Sequence, residues 1–116
     1  MKLRIINPTL HGVIDYSAAV GLISAPAILG LGSSSALAIW ISVATGVAVI
    51  VASSMTDYKF GLFRTIPFAG HLTIDLTVAT AFMAIPFVFS FSGLDAYYYW
   101  INAAVVYLVV SLSESN

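Results

Sequence analysis

Four long apolar runs, separated by short polar breaks, make up almost the whole chain. They fall at roughly 9–31, 35–54, 68–92 and 96–112. Each is close to the roughly 20 residues that a helix needs to cross a bilayer. None of the runs carries a continuous polar face, which is what a surface helix of a soluble protein would need. The first two runs are divided by Gly30-Leu31-Gly32-Ser33-Ser34-Ser35, and the last two by Ser90-Phe91-Ser92-Gly93-Leu94-Asp95. A longer polar connector, Ser53 to Arg64, lies between the pairs, and its Tyr58, Phe60 and Phe63 suit a headgroup region. The pattern predicts an all-α protein: a single integral membrane domain over 1–116, folded as a four-helix transmembrane bundle.

Composition agrees with a lipid solvent. Hydrophobic residues make up 60% of the chain and charged residues 8%. Soluble domains carry about 25% charged residues. A net charge of −1 provides no field for nucleic acid. The chain has no cysteine, so disulfides and thiolate metal sites are excluded. Met1-Lys2-Leu3-Arg4 looks like the start of a signal peptide, but His11 and Asp15 would fall in its apolar region, so the first segment is expected to be retained.

The scarce residue types repeat at an offset of 60: His11 and His71, Trp40 and Trp100, Arg4 and Arg64, Asp15 and Asp75, Pro26 and Pro86. At that offset 13 of 56 positions are identical, including Ile6/Ile66 and Ser53/Ser113. The chain therefore reads as a tandem duplication, repeat 1 at 1–56 and repeat 2 at 61–116. Each repeat has an even number of spans, so both share one orientation. A pseudo-twofold axis along the membrane normal is expected to relate them.

Lys2, Arg4, Lys59 and Arg64 all lie on one side of the spans, which places the N- and C-termini and the connector in the cytoplasm. Trp40 and Tyr97-Tyr98-Tyr99-Trp100 would form an aromatic belt on the far side. Pro8 and Pro67 suit the first turns of helices, whereas Pro26 and Pro86 interrupt helix interiors and are expected to kink them. Ala38, Ser42 and Gly46 form a small-residue strip, suited to close contact with another helix of the monomer or with a second subunit. Asn102 is expected to hydrogen-bond between helices.

The repeated His-x-x-x-Asp pair is the one candidate site. Residues i and i+4 share a helix face, so His11 can touch Asp15, and His71 can touch Asp75. An ionisable residue facing lipid is costly, so both pairs should turn toward protein. If the first and third helices meet, all four residues converge about 5–10 Å in from the cytoplasmic surface. Several readings follow. Each pair can be a structural hydrogen bond, with Arg4 or Arg64 neutralising the carboxylate. Two imidazoles and two carboxylates also suit a zinc, iron or manganese ion. Intramembrane His and Asp are equally the parts of a proton or ion relay. Haem ligation by His11 and His71 is a lesser variant, since the carboxylates sit poorly in an apolar haem slot. No phosphate loop, HExxH or nucleophile motif is present, and the expectation is non-enzymatic.

The layout resembles the SPW-repeat membrane proteins of bacteria and archaea. The resemblance rests on His11-Gly12-Val13-Ile14-Asp15-Tyr16, Thr56-Asp57-Tyr58-Lys59-Phe60-Gly61-Leu62, His71-Leu72-Thr73-Ile74-Asp75 and the prolines of Ala25-Pro26-Ala27 and Ile85-Pro86-Phe87. Neither proline has the Ser before it or the Trp after it that name the family. The resemblance implies two-helix units in a bacterial or archaeal plasma membrane and implies no activity. The reading at this level is a small membrane protein of structural or binding type, expected to form a homo-oligomer. Its rival is transport or cofactor binding through His11, Asp15, His71 and Asp75.

Overall fold

The computed structural model describes residues 5–113. Lys2 and Arg4 lie outside the described residues, so the expected role of Arg4 beside the carboxylates does too. Four helices carry the fold: α1 (Pro8–Leu29), α2 (Leu37–Ser54), α3 (Phe68–Val88) and α4 (Gly93–Leu112). Three of them, α1 to α3, are long and apolar enough to cross a membrane. The 22 residues of α1 extend roughly 33 Å at 1.5 Å per residue, against a hydrocarbon core of about 30 Å.

Local chemistry sets the helix ends. Asn7 caps α1 by accepting the Leu10 N–H at 2.8 Å, with Pro8 at the first helical position. The Pro26 carbonyl receives the N–H groups of both Gly30 and Leu31 at the other end, with Gly30 left-handed at φ 68°. Helix α3 ends at Val88 rather than running on to residue 92. The Pro86 carbonyl accepts the Phe91 N–H, and Ser90 turns the chain at φ 56°.

The helices pack tightly as hairpins, α1 with α2 and α3 with α4, and only sparsely between hairpins. The small-residue strip of α2 serves the first hairpin. Gly46 lies so close to α1 that an added Cβ would stand 2.8 Å from the Ala19 carbonyl oxygen. Ser42 donates to the Leu22 carbonyl at 2.8 Å. The strip thus faces the monomer's own helix.

Polar bonds join the two hairpins at both ends. At the end bearing Gly32, the Asp95 carboxylate accepts the backbone N–H groups of Gly32 (2.8 Å), Ser34 (3.0 Å) and Ser35 (3.4 Å), and the Ser34 hydroxyl (2.5 Å). Tyr98 bonds Ser42 at 2.6 Å, and Tyr99 donates to the Ala38 carbonyl at 2.8 Å. Both tyrosines are buried, which corrects the expected aromatic belt. Their hydroxyls find partners inside the protein, so only Trp40 and Tyr97 of that set are exposed. Asn102 departs from expectation as well: its amide donates to Tyr98 O one turn back in α4. Nearby in α4 it is Tyr107 that bonds to α3, through the Thr80 hydroxyl at 2.7 Å.

At the opposite end, the residue before the N-cap of each His-bearing helix pairs with the close of another helix. Ile6 N–H donates to the Leu112 carbonyl at 2.9 Å, and Ile66 N–H to the Met55 carbonyl at 2.7 Å. These contacts bring the start of α1 beside the end of α4 and the start of α3 beside the end of α2.

Candidate cation site

His11 and His71 occupy the first turns of α1 and α3, and Asp15 and Asp75 lie one turn deeper. The structure brings all four together, with one ligand atom from each within 4.8 Å of every other. His11 and His71 are fully buried, and Asp15 is 7% exposed.

The pairing crosses between helices. His11 Nε2 lies 2.8 Å from Asp75 Oδ2 and 3.2 Å from Asp15 Oδ1. His71 Nε2 lies 2.9 Å from Asp15 Oδ2 and 3.3 Å from Asp75 Oδ1. In both cases the nearer oxygen belongs to the other helix. The expected i, i+4 pairs form, but as the longer contacts.

The other ring nitrogens determine the chemistry. His11 Nδ1 is 2.8 Å from Ser113 Oγ, whose single proton is donated to the Val109 carbonyl at 2.6 Å. His71 Nδ1 is 2.8 Å from Thr56 Oγ1, whose proton goes to the Ala52 carbonyl at 2.7 Å. Each hydroxyl can therefore only accept from the imidazole, and both rings carry hydrogen on Nδ1. Unless a further proton is bound, each Nε2 directs a lone pair at two carboxylates. Buried negative charge facing lone pairs is unfavourable, so the cluster needs positive charge at its centre.

A proton on His11 Nε2 has a good line to Asp75. His71 Nε2 differs: it is buried and close to two carboxylate oxygens, yet neither lies in hydrogen-bonding direction. The set can also hold a metal ion. Two imidazole nitrogens and two carboxylate oxygens are a common donor set for divalent transition metals. Bonds of about 2.0–2.1 Å in a tetrahedron separate the donor atoms by about 3.3 Å. The His–Asp contacts of 2.8–3.3 Å engage both oxygens of each carboxylate. One ligand atom from each residue lies within 4.8 Å of the others, so four-coordination requires the donors to draw in along their longest separation. Haem does not fit, because the imidazoles meet edge to face at 5.4 Å with the carboxylates against them, leaving no gap for a flat macrocycle.

Aromatic groups close the site from the connector side. Tyr58 is buried and donates to Asp15 Oδ2 at 3.0 Å. Burial pushes its phenol well above the ordinary value, so it remains a donor at physiological pH. Phe68 packs edge-on to His11 at 5.2 Å and stacks on His71. Gly12 has no side chain, which lets the Tyr58 and Phe60 rings approach α1. Arg64 does not reach the carboxylates. Its guanidinium folds back on the connector, donating to the Gly61 and Lys59 carbonyls. The expectation that it neutralises Asp75 is thus corrected, since the two imidazoles already occupy the carboxylates from inside the bundle.

Toward the middle of the bundle, the cluster borders a cavity of about 140 Å³. Asp15, His71 and Asp75 form its polar end, and Leu22 and Phe82 line its apolar part. Sequence reasoning found the four central residues but missed Ser113, Thr56 and Tyr58. The one available signal was Ser113, identical to Ser53 at the repeat offset. No protein-family model, curated protein or solved structure is matched by this chain.

Proposed function

We propose that this is an integral membrane protein that binds one divalent transition-metal ion through His11 Nε2, His71 Nε2, Asp15 and Asp75. The observation that carries the proposal is the convergence of the four side chains, one ligand atom from each within 4.8 Å of the others, with Ser113 and Thr56 holding each imidazole by Nδ1 so that Nε2 faces the carboxylates. The protein's contribution is to hold the donors: Ser113 and Thr56 orient the imidazoles, Tyr58 orients Asp15, and Phe68 excludes water. Within this reading the chain is a two-unit relative of the SPW-repeat proteins. Its repeats are related by a pseudo-twofold axis, α4 is the fourth span, both termini and the Lys59–Arg64 connector are cytoplasmic, and lipid contact and homo-oligomerisation complete the assembly.

The test is elemental analysis of protein purified gently in detergent, beside the His11→Ala/His71→Ala double variant. One metal ion per chain, absent from the folded double variant, is the expected result. A metal-free wild-type protein that also takes up no zinc, iron or manganese on dialysis overturns the reading.

A second reading is favoured by one observation, the well-directed 2.8 Å contact from His11 Nε2 to Asp75. In it the central positive charge is a proton, and the cluster is a structural or proton-relaying pair of imidazolium carboxylates. Proton flux into liposomes that disappears in the double variant would select the relay. Unchanged flux with lowered thermal stability would select the structural pair.

A further inference from the structure

The cavity beside the cluster is not needed to hold an ion. Its roughly 140 Å³ is reached by side chains of all four helices. That volume is close to the roughly 150 Å³ of an engineered apolar cavity that takes up benzene. The space is therefore about one small ring in size. Leu22, Val49, Val78, Phe82 and Val106 make most of its wall apolar, with Thr45 and Asn102 the polar side chains beyond the cluster. Water is poorly held along that apolar part, whereas an apolar ring is well held there.

The two ends of the cavity differ. Three of the four proposed metal ligands, Asp15, His71 and Asp75, lie on its wall, whereas His11 does not. The side of the ion away from His11 therefore faces the cavity. His71 Nε2, the buried nitrogen without a hydrogen-bond partner, belongs to this same wall. Exposed residues also contribute to the lining: Ala18, Ala48, Ile74 and Val105, one from each helix and all apolar. In a membrane, such openings are reached from the acyl-chain region rather than from water.

We propose that the cavity binds a single-ring lipophilic molecule bearing one oxygen donor, of the phenol or quinol class. The ligand enters from the bilayer and places its oxygen on the cavity side of the ion, as a fifth donor beside His11, His71, Asp15 and Asp75. The proposal rests on the cation-site reading. The apolar wall selects the ring, and the ion selects the oxygen. Benzene-like compounds without oxygen fill the space but leave the ion untouched.

Cobalt(II) serves as both occupant and reporter, because its visible absorption depends on its ligands. Purified metal-free protein is loaded with cobalt(II) and titrated with 4-fluorophenol, then separately with fluorobenzene. The expected result is a saturable change of the cobalt bands with 4-fluorophenol and none with fluorobenzene. Val106→Phe and Leu22→Phe each fill the cavity from its apolar part. Both are expected to retain cobalt, which shows that they fold, and to weaken the phenol response at least about tenfold. Cobalt bound with bands indifferent to 4-fluorophenol overturns this inference and leaves the cation site standing. A phenol response that survives in both folded Phe variants also overturns it. Failure to bind cobalt at all overturns both readings together.

Discussion

His11 is bound more closely by Asp75 of α3, at 2.8 Å, than by Asp15 of its own helix, at 3.2 Å. The cluster is therefore a fastening between two hairpins that otherwise touch sparsely, as well as a set of donors. Its partners should be energetically coupled across the interface. In a double-mutant cycle of His11→Ala and Asp75→Asn, the coupling should lie at about 1–3 kcal/mol, within the range of contacting groups. The His11→Ala/Asp15→Asn cycle should give a smaller value. Reversible unfolding in mixed detergent, monitored by circular dichroism, provides both. Equal couplings would mean that the crossed pairing has no energetic meaning.

A second fastening lies at the other end of the bundle. The Asp95 carboxylate holds three backbone N–H groups and one hydroxyl of the 30–35 turn, and it is buried. Asp95→Ala leaves those donors without an acceptor. It is expected to lower stability by about 2–4 kcal/mol, because hydrogen bonds to a charged group contribute about 1.5–3 kcal/mol each and are not additive. Amide exchange at Gly32, Ser34 and Ser35 should quicken, while metal content stays at the wild-type level. A loss of bound metal in a folded Asp95→Ala protein would mean that the two ends of the bundle are not independent.

Two glycines in neighbouring helices provide a packing contrast. A Cβ at Gly46 meets the Ala19 carbonyl and the Ile23 side chain, whereas a Cβ at Gly21 meets nothing. Gly46→Ala should destabilise by about 1–3 kcal/mol through overpacking. Gly21→Ala should be neutral or stabilising by up to about 1 kcal/mol, since alanine is the better helix former. Thermal unfolding of the two variants side by side gives the comparison, and similar melting temperatures would contradict the close α1–α2 contact.

Much of this fold was legible because long apolar helices leave a plain signal. The four apolar runs became four helices, and the His and Asp positions converged as the i, i+4 spacing and the cost of leaving ionisable groups on an apolar surface led one to expect. Other features depended on distant partners. Ser113 reaches His11 across 102 positions of sequence, and nothing local marks it as a ligand-orienting residue. Tyr98 and Tyr99 have the composition of an interfacial belt, yet Ser42 and the Ala38 carbonyl draw them inward. Arg64 was assigned to a carboxylate by charge alone, and the compact turn around Gly61 captured it instead. The end of α3 moved because the Pro86 carbonyl closes the helix four residues before the apolar run stops.

The hydroxyls behind the histidines separate the cation reading from a merely structural cluster. Ser113 and Thr56 touch neither carboxylate; they hold each ring by Nδ1 and so direct Nε2. Groups in that position typically alter metal affinity by about 10–100-fold when removed. Ser113→Ala and Thr56→Val each leave a buried Nδ1–H without an acceptor, and each should also reduce stability by about 1–3 kcal/mol. A stability loss alone is what a structural pair would produce. The distinguishing readout is zinc affinity measured by competition with a chelator on folded protein. Thr56→Ser keeps the hydroxyl and should restore the affinity that Thr56→Val loses. Thr56→Val that melts early but binds zinc as tightly as wild type would show that orientation of His71 is irrelevant to the ion.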